Sequence, residues 1–164
     1  MKFRNLIFTL TFLFLLGGCS SSYKQLSNMK ETKPINFQEY IHNEYKKKAT
    51  FEAKEMHDWN SAKLYAEKAL MSLETDKIFP EEVSYWKLPE KYMDEIKMGY
   101  DNLMTIYDNA KIIDPYNLAK AISSLDCWSE QQEENWQTWD INNCKEDFLN
   151  SMHIIYEKIS SRKE

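Results

Sequence analysis

The chain of 164 residues contains only three glycines, and two of them, Gly17 and Gly18, lie at the end of an N-terminal apolar run. Glycine supplies the positive φ angles and close backbone approach needed by phosphate-cradling loops, dinucleotide fingerprints and nucleophile elbows. With Gly99 alone in the remaining sequence, none of these sites is expected. Two-residue β-hairpins are also disfavoured, because their turns favour Asn-Gly or Asp-Gly. The scarcity of glycine therefore predicts an all-α protein.

The sequence also lacks a surplus of positive charge. It has 21 Lys and Arg residues against 26 Asp and Glu residues, which gives a net charge of −5. Nucleic-acid-binding domains need a basic face, so we expect no nucleic-acid partner. Adhesion to anionic lipid by charge alone is disfavoured for the same reason. Neither an HExxH motif nor a Cys/His cluster with zinc spacing is present, so neither a metal nor a cofactor is predicted.

The N-terminus has the pattern of a bacterial lipoprotein signal. Two basic residues within the first four positions precede the apolar run Leu6–Leu16, and the small residues Gly17 and Gly18 stand before Cys19. The run is shorter than the roughly 18 apolar residues that a membrane-spanning helix needs. We therefore expect a signal peptide over residues 1–18 and a lipid on Cys19 that attaches the protein to the membrane. The alternative is an uncleaved membrane anchor.

The residues after Cys19 indicate where the protein is located. Ser20 stands where Asp is the usual signal for retention in the inner membrane, so we expect sorting to the outer membrane, facing the periplasm. Residues 19–35 are polar and without periodicity, which predicts a lipidated N-terminus and flexible tether. A helical domain is expected over residues 36–164.

Apolar spacing predicts about five helices in a compact bundle. Their expected ranges are roughly 37–56, 59–73, 89–113, a fourth beginning at 115, and 140–160. Asp58 and Asp114 are predicted as helix N-caps. Gly99 lies on an apolar stripe inside the third helix, where glycine costs about 1 kcal/mol relative to alanine, so a close helix crossing is expected there. The first two helices resemble one tetratricopeptide hairpin, although the pattern does not recur.

The segment 75–88 is long and aromatic for a loop within a compact domain. Phe79, Tyr85 and Trp86 are its candidate interaction residues. One interpretation is a lid that folds back over the core, and the other is a loop that binds a partner.

Two cysteines, Cys127 and Cys144, remain once Cys19 is lipidated. The lipoprotein signal places them beyond the inner membrane, where thiols are oxidised. Antiparallel helices joined by a short turn would bring them together, so a disulfide is predicted. The alternative is two separate buried thiols.

The acidic run at residues 130–134 suggests an enzyme, because paired carboxylates act as acid and base in enzymes that cleave glycans. However, neighbouring helical residues point in different directions, so Glu133 and Glu134 are not expected to face one substrate. A solvated face or a hydrogen-bonding role is the simpler interpretation, and no catalytic residue is predicted. The five tryptophans are expected to pack mainly in the core.

The run DCWSEQQEEN at residues 126–135, with a second cysteine at 144, resembles the N-terminal helical region of OmpA-family outer-membrane lipoproteins of Gram-negative bacteria. Besides the first cysteine, the motif residues are Asp126, Trp128, Glu130, Gln131, Gln132, Glu133, Glu134 and Asn135. The resemblance covers about residues 44–148. In that family a peptidoglycan-binding OmpA domain follows, but this sequence has no counterpart of it, so direct peptidoglycan binding is not expected.

Together these features predict a lipid-anchored periplasmic envelope protein that is not an enzyme. It would act as a structural or protein-interaction module on the outer membrane, with another envelope protein as its partner. The first alternative is an accessory lipoprotein that binds a partner or ligand through the loop at 75–88. The second is a glycan-acting envelope enzyme that uses Glu130 or Glu133.

Overall fold

Six α-helices and no β-strand form the part of the chain that the structure, a computed structural model, describes: residues 21–30 and 33–162. The helices are α1 (Ser21–Ser27), α2 (Phe37–Phe51), α3 (Trp59–Met71), α4 (Glu90–Ile113), α5 (Pro115–Glu134) and α6 (Thr138–Ser161). The prediction of an all-α fold is confirmed. The signal peptide at residues 1–18 and the lipidation site Cys19 lie outside the described residues.

The predicted N-caps are present. The Asp58 carboxylate accepts hydrogen bonds from the backbone N–H groups of Asn60 (2.7 Å) and Ser61 (3.1 Å) at the start of α3. The Asp114 carboxylate accepts a hydrogen bond from the backbone N–H of Asn117 at the start of α5. Each cap satisfies N–H groups that have no partner within the helix and places a negative charge at the positive end of the helix dipole.

Helix α2 continues into one turn of π-helix, Glu52–Met56, which ends at His57 with a φ of 58°. Turns of this kind are rare and recur at functional sites. The turn brings Glu52, of which only 1% is exposed, into the interior.

Helix α1 lies where the sequence predicts a flexible tether, so for residues 21–27 that prediction is wrong. Leu26 is fully buried, and Lys46 of α2 donates a hydrogen bond to the backbone oxygen of Met29. The ring of Tyr23 meets that of Trp59 edge to face, with 6.1 Å between the centroids. A single leucine gives no periodic signal, but its burial and these contacts hold the segment against α2 and α3.

Helix α5 lies at the centre of the bundle and packs against α2, α4 and α6. Gly99 of α4 allows a close approach, because a Cβ atom there would lie 3.0 Å from the ring of Phe148 and 3.6 Å from that of Trp128. The expected close crossing is thus confirmed. The largest fully buried side chains include Tyr45, Tyr65, Phe148, Leu103, Leu118 and Ile122.

The tryptophans do not all pack in the core as expected. Trp128 and Trp86 are buried, whereas Trp59, Trp136 and Trp139 expose about half of their surface or more. Trp136 lies in the turn between α5 and α6, and Trp139 lies in the first turn of α6. Among the described helices, none combines the length and apolarity that crossing a membrane requires.

Candidate functional site

A buried ion pair joins the loop at 75–88 to three helices. Lys68 Nζ of α3 lies 2.6 Å from an oxygen of Asp126 of α5. The same ammonium contacts Glu81 at 2.9 Å and donates to the backbone oxygen of Phe79 at 2.9 Å. The hydroxyl of Tyr45 of α2 donates to Asp126 at 2.6 Å. These five residues are called the Lys68–Asp126 clamp below.

The clamp fixes the backbone of the loop as well as its side chains. The N–H of Glu81 donates to the second oxygen of Asp126 at 2.7 Å. Ile78 is fully buried, and the Tyr107 hydroxyl of α4 donates to its backbone oxygen at 3.0 Å. Burial raises the pKa of Tyr45, and the Asp126 charge raises it further, so this hydroxyl stays protonated as a donor. The loop therefore folds over the core and has a fixed conformation.

Beside the clamp lies an open cleft with a volume of about 370 Å³. The loop contributes Tyr85, Trp86 and Lys87 to one side of the cleft, and the start of α3 contributes to the floor. The end of α5 contributes Glu130, Glu133 and Glu134. Tyr85 is 56% exposed, so it presents an aromatic ring at the edge of the cleft.

The structure corrects the interpretation of the acidic run. Glu130, Gln131 and Gln132 are each at most 5% exposed, so a solvated face is wrong for them, whereas hydrogen bonding applies. Glu133 and Glu134 line the same cleft, although neighbouring residues on a helix point in different directions.

The carboxyl group of Glu130 is held in place and has a perturbed pKa. Ser61 donates to one of its oxygens at 2.8 Å, and Gln131 donates to the other at 2.7 Å. Burial raises the pKa of Glu130 to about 7. The negative charges of Glu134 and Asp58 contribute to this rise in pKa, and the hydrogen bonds from Ser61 and Gln131 act against it.

Glu52 of the π-helical turn is a second buried carboxyl near the cleft. Burial raises its pKa to about 8, and the charges of Glu130 and Asp140 add to the shift. Its Oε1 atom finds no hydrogen-bond partner among the described residues. Buried polar oxygens are normally satisfied, so this group is unusual.

Three carboxylates come together at the floor of the cleft. Asp58, Glu130 and Glu134 each offer one oxygen, and these oxygens all lie within 4.8 Å of one another. No metal is predicted from the sequence, because it contains neither an HExxH motif nor a Cys/His cluster with zinc spacing. Glu130 and Glu134 are four residues apart on α5 and therefore share a face of that helix. Asp58 caps the start of α3 and is remote from them in sequence, so no local pattern indicates that it lies beside them.

The predicted interaction residues do not all reach the cleft. Tyr85 and Trp86 line it, whereas Phe79 packs its ring against Tyr107 at a centroid distance of 4.8 Å. The sequence did not single out Lys68 or Glu52 as a site residue, although Lys68 belongs to the block at residues 58–70 that shares the resemblance to OmpA-family lipoproteins. A signal for Lys68 exists, because it follows the buried Tyr65 by three residues and therefore lies on the same face of α3.

The two cysteines lie on facing helices, at disulfide distance. The Cα atoms of Cys127 and Cys144 are 5.6 Å apart, and the sulfur atoms are at bonding distance. Lys48 Nζ lies 3.0 Å from the Cys127 sulfur, and burial lowers the pKa of Lys48.

We expect peptides containing Cys127 and Cys144 to be joined in a non-reduced digest of the protein isolated from cells. Replacing both cysteines with serine should lower the free energy of unfolding by about 3 kcal/mol, because the loop they close gains conformational entropy in the unfolded chain. Denaturant unfolding measures this loss, and reductant should produce a similar loss in the unsubstituted protein. Alkylation of both thiols before any reduction would contradict the disulfide.

Comparison with known proteins yields no relative: no protein-family model, no curated protein and no solved structure matches this chain.

Proposed function

We propose that this chain is a lipid-anchored protein of the bacterial cell envelope that binds a partner protein through the cleft edged by Tyr85 and Trp86. The protein is attached to the outer membrane by the lipid on Cys19 and faces the periplasm. It has no catalytic role, and its partner is another envelope protein. The tetratricopeptide-like pairing of α2 and α3 provides a rigid frame for one side of the cleft.

The observation that carries this proposal is the fixed position of an aromatic loop beside an acidic floor. Exposed tyrosine is enriched at protein interfaces, where rigid aromatic rings contribute much of the binding energy, and Tyr85 is 56% exposed at the edge of the cleft. The Lys68–Asp126 clamp holds the loop in one conformation, which reduces the entropy lost on binding. Among the described residues that line the cleft, four are acidic and Lys87 is the single basic one. A partner with exposed lysine or arginine side chains would complement this charge.

The lipid anchor determines where in the cell envelope the protein is located. The sequence pattern before Cys19 supports it, and α1 begins only two residues later. Because α1 is packed against α2 and α3, a lipid on Cys19 would hold the whole domain close to the membrane surface. The partner is therefore expected at that surface and not deep in the periplasm.

Photo-cross-linking in intact cells tests this proposal. A photoreactive phenylalanine analogue replaces Tyr85 at the edge of the cleft, or Tyr156 of α6 as a matched control, since Tyr156 is 42% exposed. We expect one envelope protein to be captured from position 85 and not from position 156. The same set of proteins from both positions, or no captured protein at position 85, would refute the cleft as the binding site.

A glycan-acting enzyme remains the second candidate, because one observation favours it. Glu130 has a pKa of about 7 in an open cleft, and a general acid needs such a value. Incubating the purified protein with peptidoglycan tests this function. Release of soluble fragments that is lost in Glu130→Gln would establish the enzyme, and no release is the result expected for a binding protein.

A further inference from the structure

We infer that one end of the bundle, formed by Trp59, Trp136 and Trp139, lies in the headgroup layer of the membrane to which the protein is anchored. These three residues are called the tryptophan end below. The inference rests on the lipid on Cys19, which is part of the proposed function. It adds a second contact with the bilayer, and this contact fixes how the domain is oriented on the membrane.

The three rings of the tryptophan end are exposed. Trp59 exposes 49% of its surface, Trp136 70% and Trp139 55%. Single exposed apolar residues are common on soluble proteins and need no explanation. Three large rings at one end of a domain are different, because grouped apolar surface marks a place where a protein or a membrane binds.

The three rings share one end of the bundle because two connections between helices meet there. Trp59 is the first residue of α3, just after the π-helical turn, and Trp136 lies between α5 and α6. The two connections touch, since the side-chain nitrogen of Gln137 lies 4.0 Å from the sulfur of Met56. Trp139 follows in the first turn of α6.

A hydrogen bond holds one ring and satisfies its polar atom. The indole N–H of Trp136 donates to Glu134 at 3.1 Å. An oxygen of Glu134 lies within 4.8 Å of an oxygen of Asp58, the residue before Trp59, so the two tryptophans are connected through these side chains. A tryptophan ring combines a large apolar surface with one polar atom, and for this reason tryptophan is enriched at membrane–water interfaces.

The lipid anchor brings the bilayer to the same part of the molecule. The ring of Tyr23 in α1 meets the ring of Trp59 at a centroid distance of 6.1 Å. Cys19 precedes Tyr23 by four residues, and a chain of that length spans at most about 14 Å when fully extended. Because the anchor makes the contact with the bilayer intramolecular, even a weak affinity of the rings for the headgroup layer is sufficient.

The charges next to the tryptophans decide which kind of lipid surface fits. Within two positions of the three tryptophans along the chain, the sequence contains Asp58, Glu134 and Asp140 but no lysine or arginine. Anionic headgroups attract basic segments, so this end of the bundle has no such attraction to them. We therefore expect contact with a zwitterionic surface through burial of the rings, and such contact should not weaken when salt is added.

Quenching of tryptophan fluorescence by brominated lipid tests the inference. The lipidated protein, purified from membranes in non-ionic detergent, is reconstituted into phosphatidylcholine vesicles whose acyl chains either carry bromine near the headgroup or lack it. Bromine quenches the rings that contact the lipid. Trp86 and Trp128 are buried within the protein, so a loss of emission reports on the tryptophan end. Sedimentation with the vesicles measures anchoring separately.

The test variant combines Trp136→Gln with Trp139→Gln, and the control variant is Tyr156→Trp. We expect the emission lost to brominated lipid to fall about threefold in the test variant, because one of the three contacting rings is left. Position 156 is 42% exposed and lies about 25 Å further along α6 than Trp139, so a ring there should add emission that bromine does not quench. Circular dichroism checks that both variants remain folded.

Two results in vesicles would overturn the inference: no quenching of the unsubstituted protein, or equal quenching of the ring added at position 156. In intact cells, a photoreactive phenylalanine analogue in place of Trp139 should be linked to lipid. Capture of a protein from this position would show that the tryptophan end binds protein, and would overturn the membrane contact.

The vesicle measurement separates this inference from the proposed function. Sedimentation with the vesicles without quenching would remove only the membrane contact of the tryptophan end and leave the anchor in place. A protein that does not sediment with the vesicles would contradict the anchor and this inference together. Because the vesicles contain no partner protein, a failure to capture a partner from Tyr85 would leave the membrane contact unaffected.

Discussion

Replacing Asp126 with alanine is expected to lower the free energy of unfolding by about 3–5 kcal/mol, the usual cost of removing one partner from a buried ion pair. The substitution leaves Lys68, which is 5% exposed, with Glu81 as its only carboxylate partner among the described residues. It also removes the acceptor for the hydroxyl of Tyr45 and for the backbone N–H of Glu81. Denaturant unfolding monitored by circular dichroism measures the loss.

The control for this prediction is Asp101→Ala, which breaks the exposed ion pair between Lys97 and Asp101 of α4. Exposed pairs contribute about 0–1 kcal/mol, so this variant should remain close to the unsubstituted protein. Hydrogen exchange at the Glu81 amide adds a local measurement, since its protection should disappear in Asp126→Ala. Equal stability of the two variants would show that the clamp does not hold the loop.

Between pH 5 and pH 8 we expect the free energy of unfolding to fall as the pH rises. In the folded protein, burial raises the pKa of Glu52 from 4.5 to about 8. The folded state therefore retains a proton that the unfolded state has released, and the slope approaches about 1.4 kcal/mol per pH unit for one such group. Glu130, with a pKa of about 7, contributes in the same direction below pH 7.

The matched pair for the pH dependence lies within the π-helical turn. Glu52→Gln removes the buried titrating group and should flatten the slope, with the largest gain in stability near pH 8. Glu55→Gln changes an exposed residue of the same turn and should leave the slope unchanged. Thermal unfolding at several pH values compares them. If Glu52→Gln and the unsubstituted protein had the same slope, Glu52 would not be the group that causes the pH dependence.

The helices could be predicted from the sequence because their signals are local. Apolar residues recur at helical spacing, and Asp58 and Asp114 mark helix starts through contacts with residues two or three positions away. Helix α1 escaped prediction because Leu26 is a single apolar residue in a polar stretch. Its stability comes from tertiary contacts, and no local pattern encodes those.

The candidate site was less predictable because it is assembled over long distances in sequence. Lys68 and Asp126 are 58 residues apart, and Ser61 and Glu130 are 69 residues apart. The motif at residues 126–135 shows that this stretch is distinctive, yet its polar composition suggested solvent exposure. Its burial follows from the central position of α5, which has helices on several sides. The resemblance to OmpA-family lipoproteins stays a prediction.

The mass of the intact protein extracted from bacterial membranes tests lipid anchoring most directly. We predict the mass of residues 19–164 plus acyl chains, with the lipid located on Cys19 by peptide fragmentation. Cys19→Ser should yield a protein without this added mass, as a control for the assignment. A mass that corresponds to residues 1–164, or to a processed chain without lipid, would contradict the lipid-anchored envelope protein proposed here.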